Sequence, residues 1–331
     1  MSYFTTVTQD FNMTTTILLD NPGFLYTAVG AVAQGYLGVL LNFLVLSITL
    51  RSKSMRKRYK ISLFFGAFYS FLTCCCVATI CTYYLYFFTT KHPANFFTCC
   101  AIQKVNYMLQ VPFFFALFVT SVDRYLSMCH RITVFSASTI YFIYPLVFII
   151  VGLYLGSLFI YHDVVKDDVC AKVVQFPAWL LRVHLNTYCF LAVTSFLLSL
   201  RTAYFVVHFK KNATGGFVQS NPVKSVIEKR LLYSLTMQAV LPIFFIVPFL
   251  VRSQLITYDV VLDIPKPVID FIRVLTYTYY AFNSLIAIFF VKELRVGILR
   301  IVGVEVPKTM VSQTVILSSH LGTRCTPSSI H

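Results

Sequence analysis

The stretch Cys99–Cys129 reads CCAIQKVNYMLQVPFFFALFVTSVDRYLSMC, a long apolar run that ends in Asp123-Arg124-Tyr125. Between Cys99 and Val122 the only charged residue is Lys104. A helix of roughly 20 apolar residues crosses the hydrocarbon core of a bilayer, which is about 30 Å thick. The stretch therefore predicts a membrane span with a pair of charges where the helix leaves the lipid. Charges at such a depth are costly, and they usually serve a function.

The composition of the whole chain supports a membrane protein. Of the 331 residues, 58% are hydrophobic and 12% are charged, whereas soluble domains contain about 25% charged residues. The mean hydropathy is +0.75. The 33 Phe and 21 Tyr residues suit the aromatic belts found at membrane surfaces. We therefore exclude a soluble globular domain and expect a chain that crosses the membrane several times.

Seven apolar runs have the length of a membrane span, and they cover Phe24–Leu50, Ile61–Phe88, Cys99–Val122, Thr139–Tyr161, Val183–Val207, Leu231–Val251 and Val268–Val291. Helices are expected because lipid cannot satisfy backbone N–H and C=O groups, and a barrel would show short alternating strands. The predicted fold is an all-α membrane protein, a seven-transmembrane helix bundle followed by a short amphipathic helix. Arg182, His184 and Arg201 interrupt the fifth run, which leaves a six-span bundle as the alternative.

The segments outside the spans complete the predicted organisation. Residues 1–23 form an extracellular tail, 24–291 the bundle, 292–304 an amphipathic cytoplasmic helix and 305–331 a disordered cytoplasmic tail. In the amphipathic segment, three apolar residues share one face, namely Leu294, Ile298 and Ile301. Basic residues surround them, which favours a position along the inner leaflet.

The distribution of charge predicts the orientation. The loop Arg51–Lys60 holds six basic residues and no acid. Basic loops face the cytoplasm, so the N-terminus is expected outside the cell and the protein in the plasma membrane. The net charge of +15 is then explained by an anionic inner leaflet and not by nucleic acid. The polar N-terminus lacks the pattern of a cleavable signal peptide, and its sequon at Asn12 predicts N-glycosylation.

Two cysteines stand out among the ten. Cys99 lies at the outer end of the third span, and Cys170 lies in the outer loop Asp163–Trp179. Both face an oxidising compartment, where disulfides persist. A bridge between them would fix the loop over the mouth of the bundle, with Cys100 as an alternative to Cys99.

With these features the chain resembles the rhodopsin-like G-protein-coupled receptors. The resemblance rests on seven spans, an outer N-terminus, Asp123-Arg124-Tyr125 and the cysteine pair. Asn42 in span one and Glu228, twenty residues before Pro248, fit the same pattern more weakly. The resemblance implies that Asp123 and Glu228 hold Arg124 at rest. Span six would then swing outward to admit a heterotrimeric G protein, so Asp123, Arg124, Tyr125 and Glu228 form the predicted switch.

The chain also departs from that family. Span seven reads Asn283-Ser284-Leu285-Ile286-Ala287 in place of Asn-Pro-x-x-Tyr, and span two lacks the usual Asp, which argues against a bound sodium ion. Span six has Phe245-Ile246-Val247-Pro248 in place of Cys-Trp-x-Pro. With these departures the chain is most similar to the nematode serpentine chemoreceptors, near the Srg and Srv groups. That similarity implies a chemosensory receptor for a small extracellular chemical, which could reside in sensory cilia.

The predicted ligand pocket lies in the outer half of the bundle. Polar residues of span seven recur at helical spacing and form one stripe, which is expected to face the bundle. The predicted lining is Asn106, Tyr107, Gln110, Phe249, Arg273, Tyr277 and Tyr280. In the alternative interpretation, Asp270 and Arg273 pair with each other and the tyrosines pack between helices. Pro242 and Pro248 predict a hinge in span six, because proline removes a helical hydrogen bond.

Three other classes of function are alternatives to a chemosensory receptor. The nearest alternative is an internal receptor for a neuropeptide or small transmitter, although Asn106 stands where the family's amine receptors have an acid. A secondary transporter would show repeated halves and broken helices, and no internal repeat is visible. The seven His residues are scattered, and no mid-span nucleophile paired with a base, metal-ligand set or cofactor motif is visible. An enzyme and a bound cofactor or metal are therefore not expected.

Overall fold

A computed structural model describes residues 16–19, 22–52, 57–130, 136–157, 163–164, 174–175, 178–212, 222–258, 260 and 263–304. Nine α-helices occur within these ranges: α1 Leu25–Arg51, α2 Lys57–Thr90, α3 Phe96–Cys129, α4 Ala137–Ser157, α5 Ala178–Asn212, α6 Pro222–Phe245, α7 Val247–Thr257, α8 Lys266–Phe290 and α9 Lys292–Ile301. A 3-10 turn, Pro22–Phe24, precedes α1. The predicted sites at Asn12 and Cys170 and the tail 305–331 lie outside the described residues.

The described helices form the predicted all-α membrane bundle, in which α6 and α7 together make one bent rod. Four segments are long and apolar enough to cross a membrane: Pro22–Arg51, Lys60–Thr90, Leu109–Cys129 and Arg182–Phe205. The bent pair Thr236–Phe245 and Val247–Ile256 is a fifth. Helix α4 adds a shorter apolar stretch, Tyr141–Ile150, and α8 carries the polar stripe described above. Large apolar side chains on the outer surface, such as Tyr26 and Phe142, are exposed, as lipid contact requires.

The sixth span differs from its prediction as a single helix over Leu231–Val251. It breaks at Ile246, and its two halves are bent by 41°. Pro248 explains the break, because its nitrogen cannot donate to the carbonyl four residues earlier and its ring crowds that turn. The chain remains hydrogen-bonded across the bend. The Ile246 amide donates to the Pro242 carbonyl at 2.8 Å, and the Leu250 amide donates to the Ile246 carbonyl at 3.0 Å.

Helices α1 and α3 each pack against several neighbouring helices. Helix α1 packs against α2 and α8, and α3 packs against α5, α2 and α4. The centre of the bundle is aromatic. The Phe113 ring lies 5.7 Å from that of Tyr279 and 5.2 Å from that of Tyr280. Such edge-to-face pairs add about 0.5–1.5 kcal/mol each beyond the burial of their area.

Glycines bring α1 close to α2. A methyl group added at Gly38 would overlap the Cys74 sulfur, and one added at Gly35 would lie 3.0 Å from the Ala78 side chain. Small residues let membrane helices approach closely enough for their backbones to contribute to packing. The α1–α2 contact therefore depends on the absence of side chains at these two positions.

Lys60 joins the ends of α1 and α2. Its Nζ atom donates to the Leu50 carbonyl at 3.2 Å and to the Ser52 carbonyl at 2.8 Å. The last carbonyls of a helix have no partner within that helix. Lys60, near the start of α2, supplies donors for the end of α1.

Different elements cover the two ends of the bundle, the Cys99 end and the Arg124 end. At the Cys99 end, strand β1 (Thr16–Ile17) pairs antiparallel with β2 (Ala94–Asn95), and β3 (Asp163–Val164) pairs antiparallel with β4 (Val174–Gln175). Strand β4 also contacts α3. At the Arg124 end, α9 packs against α1 and α8 with Leu294 fully buried.

Candidate functional site

The Asp123–Tyr125 motif lies within α3, which continues to Cys129, about two turns beyond the predicted end of the span. Asp123 is 7% exposed, and Arg124 and Tyr125 are half-buried. The Tyr125 hydroxyl lies 3.1 Å from His130 Nε2, and the Arg201 guanidinium carbon lies 5.9 Å from the centre of the Tyr125 ring. The motif is therefore held on a continuous helix, with side chains of α3 and α5 around its tyrosine.

Glu228 belongs to α6, and α6 contacts α3. The Glu228 side chain lies outside the described part of the structure. Its pairing with Arg124 therefore stays a prediction.

Polar contacts join the bent α6–α7 span to α8. The Tyr279 hydroxyl donates to the Gln238 carbonyl at 2.9 Å, and Gln238 Nε2 donates to the Asn283 carbonyl at 3.4 Å. At the bend, Thr276 Oγ1 lies 3.1 Å from the Phe245 carbonyl oxygen and 2.9 Å from that of Ile272 in its own helix, and its one proton is shared between them. These contacts span about two turns of α8. The predicted site residues did not include Gln238, Thr276 or Tyr279, although a polar glutamine within an apolar run indicated a contact of this kind.

A second polar group joins α1 to α8. The Ser284 hydroxyl donates to Asn42 Oδ1, while Asn42 Nδ2 lies 2.7 Å from the Gly38 carbonyl and 3.3 Å from the Tyr280 carbonyl. Asn42 and Ser284 are both buried. Ser284 occupies the position where the resembled family has proline, and α8 continues through it without a break. A side-chain hydrogen bond therefore replaces a kink at this position.

A small cavity lies beside Asn283 at the centre of the bundle. Asn283 Nδ2 is 3.5 Å from the Ser70 hydroxyl, whereas its Oδ1 atom is buried with no hydrogen-bond partner in the described part of the chain. The cavity is lined by Asn283, Gln238 and Thr120, among others, and the centre of a water molecule can occupy about 30 Å³ of it. One water needs roughly 10–15 Å³ by this measure. The cavity therefore has room for about two waters, one of which could donate to Asn283.

At the Cys99 end, the predicted pocket residues of α3 lie against α5. The Tyr188 hydroxyl donates to Gln110 Oε1 at 2.8 Å, and the His184 ring packs on Tyr188 at 4.5 Å. Asn106 Oδ1 is buried without a hydrogen-bond partner among the described residues. Tyr107 lies in α3, but its side chain is outside the described part. The α3–α5 contact is thus polar where both helices approach the Cys99 end.

The predicted pocket residues of α8 have different surroundings. Arg273 Nη1 lies 3.5 Å from Asp270 Oδ1, and the two side chains are 22% and 20% exposed. The alternative interpretation, in which these charges pair with each other, is confirmed. Tyr277 is half-buried, whereas Tyr280 is 3% exposed and packs in the aromatic centre. Of the three predicted pocket residues on α8, Tyr280 is the one most fully enclosed by the bundle.

Helix α7 carries the last of the predicted pocket residues and adds contacts that the sequence analysis missed. Phe249 is half-buried, and its carbonyl accepts a hydrogen bond from the Ser253 hydroxyl at 2.8 Å. Gln254 Nε2 donates to Asn186 Oδ1 on α5. Pro242 is buried and Pro248 is exposed, so the predicted hinge residues lie on either side of the break at Ile246.

Cys99 is fully buried and takes part in a disulfide bond. Six other cysteines within the described residues are free thiols, Cys74, Cys75, Cys76, Cys81, Cys129 and Cys189. Cys170 lies outside the described residues, so the assignment of Cys170 as the partner stays a prediction. Among the described residues, no group of three or more His, Cys, Asp and Glu side chains could hold a metal ion.

Comparison with known proteins establishes the fold. The sequence matches no protein-family model and no curated protein. The structure superposes on the crystal structure of squid rhodopsin with a TM-score of 0.70, covering 93% of this chain and 94% of that chain at 13% sequence identity. At so low an identity the likeness concerns the fold alone. The chain has the seven-helix fold of rhodopsin.

Proposed function

We propose that the protein is a G-protein-coupled receptor for a small extracellular chemical. The observation that carries the proposal is the combination of this fold with an Asp123–Tyr125 motif at one end of α3 and a bent α6–α7 span beside it. A static membrane scaffold would not need charged residues at that depth. Fold alone does not determine function, so the argument rests on where the charges and the bend lie.

The proposed switch is a movement of the α6–α7 span relative to α3 and α8. In the resting state Asp123 and Glu228 hold Arg124, whose planar guanidinium can bind two carboxylates at once. The Gln238, Asn283 and Thr276 contacts fasten the span to α8 at the same time. A ligand that favours the outward position shifts the population between the two states. The G protein would then bind in the space that opens at the Arg124 end.

The proposed ligand site lies between α3, α5 and α8 at the Cys99 end. The buried Asn106 Oδ1 atom supports it, because an unsatisfied buried acceptor costs about 1–3 kcal/mol and a ligand with a hydrogen-bond donor would remove that cost. Gln110 and the Asp270–Arg273 pair add further polar groups. We infer a small polar molecule, and a chemosensory role in the plasma membrane of a sensory cell, from the sequence resemblance together with this site.

The proposed topology places the Cys99 end outside the cell and the Arg124 end in the cytoplasm. The basic loop Arg51–Lys60 supports this orientation through the preference of basic loops for the cytoplasm. A disulfide between Cys99 and Cys170 is part of the proposal. It is supported by the bonded state of Cys99 and by the contact between α3 and β4, a strand that begins four residues after Cys170 in the sequence.

The switch is tested by replacing Glu228 with Ala and measuring ligand-independent signalling through a promiscuous G protein with a cAMP or calcium readout. Loss of one hydrogen bond to a charged group, about 1.5–3 kcal/mol, should raise basal signalling about tenfold at equal surface expression. Glu293→Ala is the matched control, because Glu293 lies on α9 at the same end of the bundle. Arg124→Ala should weaken coupling in the same assay. Equal basal signalling of Glu228→Ala, the control and the wild type would refute the proposed switch.

A further inference from the structure

A cleft opens between α3 and α5 at the Arg124 end. Its volume is about 590 Å³, within the range of roughly 300–1,000 Å³ that is usual for small-molecule sites. Tyr125 and Cys129 of α3 and the next residue, His130, line one wall, and Leu200, Arg201 and Tyr204 of α5 line the other. The cleft is separate from the small cavity beside Asn283 and from the proposed ligand site at the opposite end.

The lining of the cleft favours an anion. It contains the Arg201 guanidinium, the Tyr204 side chain and the Tyr125 hydroxyl, which lies 3.1 Å from His130 Nε2, while no carboxylate belongs to the described lining. The Arg201 guanidinium carbon lies 5.9 Å from the centre of the Tyr125 ring, a contact that limits where the guanidinium can point. The planar donor set of arginine matches phosphate oxygens, often through two parallel hydrogen bonds.

The mouth of the cleft lies on the outer flank of the bundle. Tyr204 is 61% exposed and Leu200 is 41% exposed. Leu197, one turn earlier on α5, is also exposed. Apolar side chains on the flank of a membrane bundle face lipid, so a ligand with acyl chains can enter sideways. Helix α5 continues past Arg201 to Asn212, and its last turns carry Lys210 and Lys211. The cleft therefore lies beside a lipid-facing surface of α5.

We infer that this cleft binds the phosphate-bearing headgroup of an anionic phospholipid, with its acyl chains against Leu197 and Leu200. The inference rests on the proposed orientation, which puts the Arg124 end at the inner leaflet, where anionic lipids are concentrated. Since Tyr125 lines the cleft and belongs to the Asp123–Tyr125 motif, a bound headgroup contacts the proposed coupling site directly.

Native mass spectrometry of the purified full-length protein in detergent tests the inference. Two probes are added at equal concentration, dioctanoyl phosphatidylinositol bisphosphate and dioctanoyl phosphatidylcholine. The wild type should retain the anionic lipid in preference to the neutral one. Arg201→Gln should weaken retention about tenfold, because a charge-assisted hydrogen bond is lost. Arg201→Lys, which keeps the charge, should lose less.

The matched control is Arg182→Gln, which removes an arginine from the same helix at the Cys99 end, where Arg182 lies over the Tyr258 ring at 4.6 Å. It should retain the anionic lipid as the wild type does. A thermal unfolding curve for each variant shows that the protein compared is folded. Equal retention by Arg201→Gln and the wild type, or equal retention of both lipids by the wild type, overturns the inference.

Inorganic phosphate distinguishes a lipid from a soluble anion. If millimolar phosphate removes the bound lipid, the cleft binds a free anion and the lipid assignment is overturned; if the lipid remains bound, the acyl chains contribute as inferred. These measurements need neither an extracellular ligand nor a G protein. The lipid-binding results can therefore be interpreted even if the signalling proposal fails.

Discussion

Thr276 Oγ1 of α8 lies 3.1 Å from the carbonyl oxygen of Phe245, the last residue of α6 before the bend, and 2.9 Å from that of Ile272 one turn back, so its one hydroxyl proton is shared between the two. In an unbroken helix the Phe245 oxygen would accept from the amide of Phe249, four residues later. Neighbouring helices commonly satisfy backbone groups that a proline-induced break sets free within a membrane. The bend in the sixth span is therefore stabilised by a side chain from a different span.

Replacing Thr276 by Val should lower the stability of the resting state. The change keeps the shape of the side chain and removes its hydrogen bond to Phe245, which is worth about 0.5–1.5 kcal/mol. The melting temperature of the purified protein should fall by about 2–4 °C. The control is Thr278→Val, since the Thr278 hydroxyl bonds to Val274 within its own helix. Equal melting temperatures for the two variants would show that the Phe245 contact adds no stability.

Replacing Ser284 by Ala should destabilise the junction of α1 and α8. The change leaves the buried Asn42 Oδ1 atom without the Ser284 donor, at a cost of about 1–3 kcal/mol. Thermal unfolding in detergent measures the effect. Ser253→Ala is the control because that hydroxyl bonds only to the Phe249 carbonyl one turn back on its own helix. The contact would have no measurable role if Ser284→Ala unfolded at the temperature of this control.

Replacing Gly38 by Ala should separate α1 from α2, because the new methyl group would overlap the Cys74 sulfur. Overpacking of this kind costs about 1–3 kcal/mol, seen as a lower melting temperature and reduced surface expression. Gly66→Ala is the matched control, since nothing lies within 4 Å of the added methyl group. Cys74→Ala in the Gly38→Ala background should restore part of the loss. A Gly38→Ala protein as stable as the Gly66→Ala protein would contradict the close approach.

Replacing Cys170 by Ser should reduce surface expression and free the Cys99 thiol. Removing a native disulfide costs about 2–5 kcal/mol in small secreted domains, and here it would release the loop that contains β3 and β4. Mass spectrometry of the non-reduced wild type should find a peptide that joins Cys99 to Cys170. Cys189→Ser is the control, because Cys189 is a free thiol in α5. A Cys99 peptide joined to any other cysteine would reject the proposed pairing.

The spans were predictable because each requirement is local. A bilayer demands a run of apolar residues of a given length, and such a run can be read without knowing its neighbours. The Asp270–Arg273 pair was also foreseeable as an alternative, because residues three apart on a helix lie on the same side. The prolines indicated that span six would be irregular, although the single predicted helix did not include the break at Ile246.

The contacts between spans could not be predicted in the same way. The Tyr279–Gln238 and Ser284–Asn42 hydrogen bonds join residues 41 and 242 positions apart. They depend on how each helix is rotated about its axis and on its depth relative to the next. Hydropathy fixes neither quantity. Helix α8 illustrates the difference, because its polar stripe was evident while the partner of each polar residue was not.

Lys60 and Gly38 join α1 to α2 at two different depths of the bundle. The Lys60 ammonium group, near the start of α2, donates to two carbonyls at the end of α1, and Gly38 lets the two helices approach closely at Cys74. Sliding one helix past the other would break the Lys60 hydrogen bonds and force the two backbones apart. We therefore expect α1 and α2 to move together, so that a pair of distance labels on α1 and α2 should report no change while labels on α7 report motion.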